Sequence, residues 1–264
     1  MHRPRLSDEE ERQIATALET TPDLLPFLPE LLADIWALGS WPTVIAEMLG
    51  TRGLPRSTRV LDLGCGKGAV GIRLARDLGV RVLGVDLFEP FIEDARRRAR
   101  REGVDERCEF RVADSRDVLK SEDGFDVVVW AALGGALGNI DRCVGQLRSV
   151  VRPRGYIVID DGFLVSDHAI TRSGYEHYTS REETHRLLIE HGDELLQETL
   201  IPRSEVEARN HENNRCIQAR AKGLTERFPE HADRLAGYVE SQVAECEILE
   251  SSIAAAVWLL LRRG

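Results

Sequence analysis

Residues 60–68 read Val-Leu-Asp-Leu-Gly-Cys-Gly-Lys-Gly, an apolar strand whose acid, Asp62, stands two residues before the first of three alternate glycines, Gly64, Gly66 and Gly68. Glycines placed directly after a strand mark a tight turn into a helix, because a residue without Cβ tolerates positive φ and lets a ligand approach the backbone. Such a turn, opening a helix N-terminus, is a ready cradle for a nucleotide or another small polar molecule. Asp62 narrows the choice. A carboxylate beside the bend repels a bare pyrophosphate and suits a ligand with a cationic head.

A literal G-x-G-x-x-G also runs through Gly66, Gly68 and Gly71, the spacing of the NAD fingerprint. In that fingerprint the first glycine closes the turn directly after the strand, a place Gly64 already takes, and Gly71 falls inside the next helix. The arrangement of Asp62, Gly64, Gly66 and Gly68 resembles the first motif of the class I S-adenosylmethionine-dependent methyltransferases. That resemblance implies a doubly wound α/β fold, a Rossmann-like sheet of seven mostly parallel strands whose last two form an antiparallel pair. It also implies S-adenosyl-L-methionine as cofactor and methyl transfer to a small-molecule acceptor by in-line displacement at the sulfonium. An enzyme that modifies the cofactor itself, an NAD oxidoreductase and a non-catalytic S-adenosylmethionine sensor are the alternative readings.

The resemblance carries residue roles with it. Asp62, Gly64, Cys65, Gly66 and Gly68 frame the methionine portion. The run Arg81–Val85 ends in Asp86, followed by Leu87; an acid there accepts both ribose hydroxyls, for NAD as well as for this cofactor. Cys108–Val112 leads into Ala113, Asp114 and Ser115, where family members bind adenine and read its exocyclic amine with the acid. An acid after a strand also reads as a helix N-cap. Trp130, after the fourth apolar run, completes the cofactor set. Cys65 has no partner base in sequence and reads as a small residue lining the loop.

The acceptor side is less constrained. Trp130-Ala131-Ala132-Leu133 stands where base and glutamine N-methyltransferases of the family carry Asn/Asp-Pro-Pro-aromatic, which argues against those substrates. After the fifth run come Asp160, Asp161, His168, Tyr175, His177 and Tyr178, a polar and aromatic cluster suited to holding or deprotonating a small acceptor. Asp160, His168, Tyr175 and Tyr178 are the acceptor-site candidates, and no residue is assigned as catalytic, since the sulfonium supplies most of the drive and a base is needed only if the acceptor must lose a proton. The aspartates and His168 match no metal-ligand spacing, so no metal is expected.

With 264 residues, 42% apolar and 30% charged, the chain suits one domain with an added cap, or two small ones. A formal charge of −10 argues against a large phosphate-binding surface, so no nucleic-acid partner is expected. The arginine run at 96–101 reads as the solvated face of an amphipathic helix. Five cysteines at 65, 108, 143, 216 and 246 form no C-x-x-C pair, which fits a reducing interior. The first residues lack the apolar stretch of a signal peptide, and the apolar run Ile253–Leu261 is too short for a bilayer and reads as a buried strand. The expected location is the cytoplasm, with no membrane partner. Nothing in the sequence sets the oligomeric state.

Strands and amphipathic helices alternate along the chain. Glycine ends the first two helices after the bend, at Gly79 and Gly103, and a turn, ALGGALGN, follows the fourth strand. A helix from Ile140 stops at Pro153 and Gly155, before a short fifth strand, Tyr156–Ile159. Ser180 with Glu183 forms a capping box, and Leu195–Ile201 reads as the sixth strand. Residues 1–55 are expected to form a helical cap, with a capping box at Ser7 and Glu10, a helix presenting Leu28, Leu31, Leu32, Ile35 and Trp36, and another opened by Ser40 and Pro42. Residues 56–264 form the cofactor-binding domain, with a helical insertion at about 203–250 too long for a plain connection. Cap and insertion, which includes the polar stretch RNHENN at 209–214, are expected to cover the carboxyl edge of the sheet as a lid.

Overall fold

In a computed structural model of the chain, which describes residues 8–18, 20–166, 170, 172 and 174–264, apolar β-branched runs form strands and the stretches between them form helices. Ser7, with its predicted cap, and His168 lie outside the described residues. In chain order the protein forms α1 (Asp8–Ala17), a 3₁₀ segment at Pro22–Phe27, α2 (Leu28–Leu31) and α3 (Pro42–Gly50). Then β1 (Arg59–Leu63), α4 (Ala69–Leu78), β2 (Arg81–Asp86), α5 (Glu89–Arg101), β3 (Cys108–Val112), α6 (Ser115–Ser121) and β4 (Phe125–Ala131) alternate. Next come α7 (Ile140–Val150), β5 (Val151–Leu164), α8 (Arg181–Leu188) and β6 (Glu194–Leu200). Two long helices, α9 (Arg203–Arg227) and α10 (Ala232–Ser252), precede β7 (Ile253–Leu261).

The chain divides into two compact units. One comprises Ala37–Arg203 with Ser251–Gly264, and the other Met1–Trp36 with Ser204–Glu250. In the larger unit, seven strands among the described residues form one sheet in the order β3-β2-β1-β4-β5-β7-β6. β1 to β5 are parallel, and β7 runs antiparallel to both β5 and β6. Parallel strands are covered on both faces and therefore read as continuous apolar runs, as in Val127, Val128 and Val129, all fully buried. The register sets Asp62 between Gly84 and Val129, Asp86 opposite Val112, and Ala131 opposite Asp160. The acids picked out in sequence thus gather toward one edge, where the parallel strands end.

In the smaller unit, α9 and α10 are separated by a break at Phe228 and Pro229, where proline cannot continue the ladder of the preceding helix. Phe27 packs edge-on against Phe228, and Arg220 and Arg227 reach Asp34 and Glu30. The helix expected through Leu28–Trp36 is shorter than its apolar spacing suggested. It ends at Leu31 and continues as turns, although Leu28, Leu31, Leu32 and Ile35 are all buried. Pro22, Pro26 and Pro29 deprive this segment of the amide donors a longer helix needs.

The fifth strand also departs from its sequence reading. Extended backbone begins at Val151 and runs on through Leu164, so Asp160 and Asp161 lie inside the strand and not in a loop after it. Two features carry the strand past its apolar core. Residues Asp160–Leu164 pair with Ile253–Val257 of β7, and Gly162 allows close approach, because a Cβ there would lie 2.4 Å from Ile253 Cγ2. At the other end Arg154 takes a left-handed φ of 67°, and the pairing with β4 shifts register between Phe125 and Val127. This is bulge geometry, which absorbs an irregular stretch without ending the strand.

Candidate functional site

The bend after β1 owes its shape to its glycines. Gly64, Gly66 and Gly68 take φ of 61°, 51° and 73°, a region closed to most side chains. Three backbone donors fix it: Cys65 N–H to Val85 O at 2.9 Å, Gly68 N–H to Cys65 O at 2.8 Å, and Gly66 N–H to Asp86 Oδ2 at 2.9 Å. Asp86 Oδ1 accepts from Phe88 N–H at 2.8 Å. One carboxylate therefore joins the bend to the first turn of the next helix. Asp62 does the same from below, accepting from Gly71 N–H at 3.0 Å. Gly71 lies within α4, where a Cβ would fall 2.8 Å from Val82 Cγ1, so its glycine serves helix–strand packing.

Burial sets the electrostatics. Asp62 is fully enclosed, and desolvation, helped by the neighbouring Asp86 charge and opposed by the Gly71 hydrogen bond, pushes its carboxyl up to about 7. Asp86 is raised by the same cause, against the backbone donors of Phe88, Gly66 and Leu87. Lys67, between Gly66 and Gly68, is 2% exposed, and its ammonium lies 5.4 Å from the centre of the Phe91 ring. Two carboxylates at the bend fit a cationic ligand bearing hydroxyls better than a pyrophosphate, which they would repel. Cys65 is buried, and its thiol is pushed well above the ordinary range by desolvation and two nearby carboxylates, which rules out a thiolate nucleophile.

The remaining cofactor candidates are placed unequally. Ala113 N–H donates to Asp86 O at 3.0 Å, which keeps the β3 edge beside β2. Asp114 caps α6, accepting from Arg116 N–H at 2.8 Å, and the Arg116 guanidinium also reaches it, with Nε at 3.0 Å from Oδ1. That side-chain bond, first among its causes, lowers the Asp114 carboxyl, against some desolvation. Ser115 is the first residue of α6. Trp130 is 3% exposed and belongs to the core between β1 and β5.

Two contacts at the bend have no counterpart in the sequence reading. A Cβ on Gly64 would lie 2.4 Å from Leu133 Cδ1, and one on Gly66 would lie 2.8 Å from Leu38 Cδ1. Leucines from before α3 and after β4 thus roof the two glycines. Leu38 and Ala132, the residue before Leu133, are two of the three described non-glycine residues with left-handed φ, at 46° and 54°. Strain of this kind costs about 1–3 kcal/mol each and persists where the surroundings impose it. Here Trp41 N–H donates to Asp160 Oδ2 at 2.6 Å and Ala132 N–H to Asp160 O at 2.9 Å, so one buried residue of β5 holds both segments. No local signal in the sequence says which surface Leu38 covers.

Asp160 is thereby a buried anchor, 3% exposed, and not an open acceptor contact. The polar cluster forms instead around its neighbour. His177 Nε2 lies 3.6 Å from Asp161 Oδ2, its Nδ1 lies 3.1 Å from Gly174 O, and its ring stacks on Tyr178 at 4.0 Å. Tyr175, buried, completes the group at 5.7 Å from Tyr178. The imidazole packs on the turn after β4: a Cβ on Gly135 would sit 2.9 Å from Nδ1. Among the described residues, no group of three acidic, histidine or cysteine side chains is placed to hold a metal. No described helix is long and apolar enough to cross a membrane.

A family model described as a methyltransferase domain matches residues 54–227. The chain belongs to the class I S-adenosylmethionine-dependent methyltransferase family. Within that family it is 36% identical over 125 residues to the 27-O-demethylrifamycin SV methyltransferase of Amycolatopsis mediterranei, covering 47% of this chain and 45% of that one. It is 33% identical over 97 residues to the ubiquinone biosynthesis O-methyltransferase of Agrobacterium fabrum, covering 37% and 38%. The chain spans less than half the length of these curated relatives. In fold it is similar to a methyltransferase from Geobacter sulfurreducens solved with S-adenosyl-L-homocysteine, at a TM-score of 0.71, 20% identity and coverage of 89% and 97%.

Arg116 gives the methyltransferase site a testable competition. If the adenine amine donates to Asp114, it shares that carboxylate with the guanidinium, and Arg116→Ala is expected to tighten nucleoside binding a few-fold. The gain is small because a half-exposed ion pair is worth about 0–1 kcal/mol. Weaker binding in a calorimetric titration of that variant would mean that the arginine helps to hold the ligand.

Proposed function

We propose that this chain transfers a methyl group from S-adenosylmethionine to an oxygen of a small molecule by in-line displacement. The observation that carries this reading is the pairing of Asp62 and Asp86 around a left-handed glycine bend, Asp86 accepting from Gly66 N–H and Asp62 from Gly71 N–H. In this reading Asp62, Gly64, Gly66 and Gly68 frame the cationic amino-acid end, Asp86 accepts the ribose hydroxyls, and Asp114 reads adenine. The bound cofactor supplies an electrophilic methyl group. The protein supplies position and dryness: Leu38 and Leu133 form an apolar roof at the bend, and excluding water strengthens every charged contact beneath it. An oxygen acceptor is supported by the relatives, two of which carry O-methylation in their names.

Calorimetric titration of the purified chain with S-adenosylmethionine, S-adenosylhomocysteine and NAD tests the cofactor. Binding of the first two and none of the third is expected. Tight NAD binding with no response to either sulfur nucleoside would overturn the reading. Transfer of a labelled methyl group to any acceptor then separates an enzyme from a cofactor sensor.

A further inference from the structure

We propose that His177 is the base that takes the proton from a neutral hydroxyl acceptor, with the Gly174 carbonyl orienting its ring and Asp161 stabilising the imidazolium. This rests on the methyl-transfer reading and deepens it by naming the acceptor as one that must lose a proton.

The tautomer argument starts at Gly174. Its carbonyl oxygen only accepts, so the 3.1 Å contact with His177 Nδ1 requires the proton on Nδ1. In the neutral ring the lone pair is then on Nε2. That atom is buried and has no hydrogen-bond partner among the described residues. The group nearest to it by charge, Asp161 Oδ2 at 3.6 Å, is a carboxylate and cannot donate. A buried lone pair facing an acceptor is costly unless a donor reaches it. A hydroxyl is such a donor, and once its proton has passed to Nε2 the same carboxylate faces a cation. The pair is thus poorly matched before proton transfer and well matched after it, which is the differential a base requires.

Its placement agrees. Leu133 roofs Gly64 in the bend, and the next two residues, Gly134 and Gly135, lie against the His177 ring, with a Cβ on Gly134 falling 3.4 Å from Nε2. One short glycine turn therefore links the roof of the bend to the imidazole. Gly134 and Gly138 take φ of 47° and 97°, left-handed values that glycine adopts without strain and that let this turn lie against the ring. The step balances without a further reactant. The acceptor O–H bond breaks, its proton goes to Nε2, and the oxygen lone pair forms the O–CH₃ bond. The S–CH₃ bond breaks with its electron pair left on sulfur as a neutral thioether, and His177 later returns its proton to solvent.

Two readouts test this. Nitrogen-15 NMR of the full chain labelled at histidine, with S-adenosylhomocysteine present, is expected to show neutral His177 protonated on Nδ1; a proton on Nε2 would overturn the assignment whatever the activity. The second uses radiolabelled S-adenosylmethionine with a series of phenols, from phenol to 4-nitrophenol, the latter ionised at the assay pH. His177→Gln is expected to slow methylation of un-ionised phenols by about 100-fold, to change the pre-ionised one less than threefold, and to leave cofactor affinity intact. Equal losses on both acceptors, or none on either, would overturn the proposal. Failure of the wild-type chain to bind S-adenosylmethionine would sink the methyl-transfer reading, while the NMR result would still stand on its own.

Discussion

Stability is expected to fall as pH rises from about 4 to about 7, and Asp62→Asn should remove the part of that fall that Asp62 contributes, leaving that of Asp86. In the folded protein the Asp62 carboxyl is raised to about 7 by burial, against an ordinary value of 3.8. Between those values the folded state holds a proton that the unfolded chain has released, so each step up in pH favours unfolding. The stabilising effect is complete below the unfolded value and is lost as pH passes the folded one. Three units correspond to a change of up to ~4 kcal/mol. Asparagine keeps an oxygen for the Gly71 N–H but does not titrate, so the variant should hold a flatter profile across the window. Denaturant melts of both proteins at about pH 5 and about pH 8 measure this. Parallel profiles would show that Asp62 is ionised throughout and that the enclosed carboxylate is stabilised by something other than its neighbours here. The sign has a functional side: a cationic ligand beside Asp62 favours the ionised form, so binding should expel a proton and counter the alkaline loss.

The bend was legible because its information is local. Asp62 and the three glycines lie within seven residues, and their φ values follow from the absence of Cβ. Asp86 was legible for a related reason, since a strand that ends in an acid puts that acid at the sheet edge. Asp114 shows where local reading is ambiguous. An acid at a strand end and an N-cap are the same sequence signal, and here it caps α6. Asp160 was misplaced because two acids and a glycine read as a turn, whereas pairing with β7 extends β5 through them and Trp41, 119 residues earlier, supplies the donor. The roofing leucines and the His177–Asp161 pair depend likewise on contacts distant in sequence. Such contacts leave no periodicity or spacing to read.

Asp86→Ala is expected to weaken the binding of S-adenosylmethionine and S-adenosylhomocysteine by on the order of 10- to 100-fold, the equivalent of about 1–3 kcal/mol for charged hydrogen bonds. Backbone N–H groups already reach both oxygens of this carboxylate, Gly66 on Oδ2 and Phe88 on Oδ1 with Leu87 beside them, and in the proposed reading the remaining lone pairs accept the ribose hydroxyls. Alanine therefore removes two things at once: the pair of ligand bonds and the strut that holds the middle of the glycine bend. Asp86→Asn separates them. Its oxygen keeps one backbone donor and one hydroxyl, but its amide nitrogen meets the other N–H donor head-on, so the bend loosens while half of the ribose contact survives. If ribose recognition dominates, the asparagine variant should lie between wild type and alanine in calorimetric affinity. If the strut dominates, both variants should fall together, because the carboxylate's bridge between Gly66 and Phe88 is broken in each. An unchanged affinity in the alanine variant would take Asp86 out of the site, and with it the argument that two carboxylates, rather than a helix N-terminus alone, select the ligand.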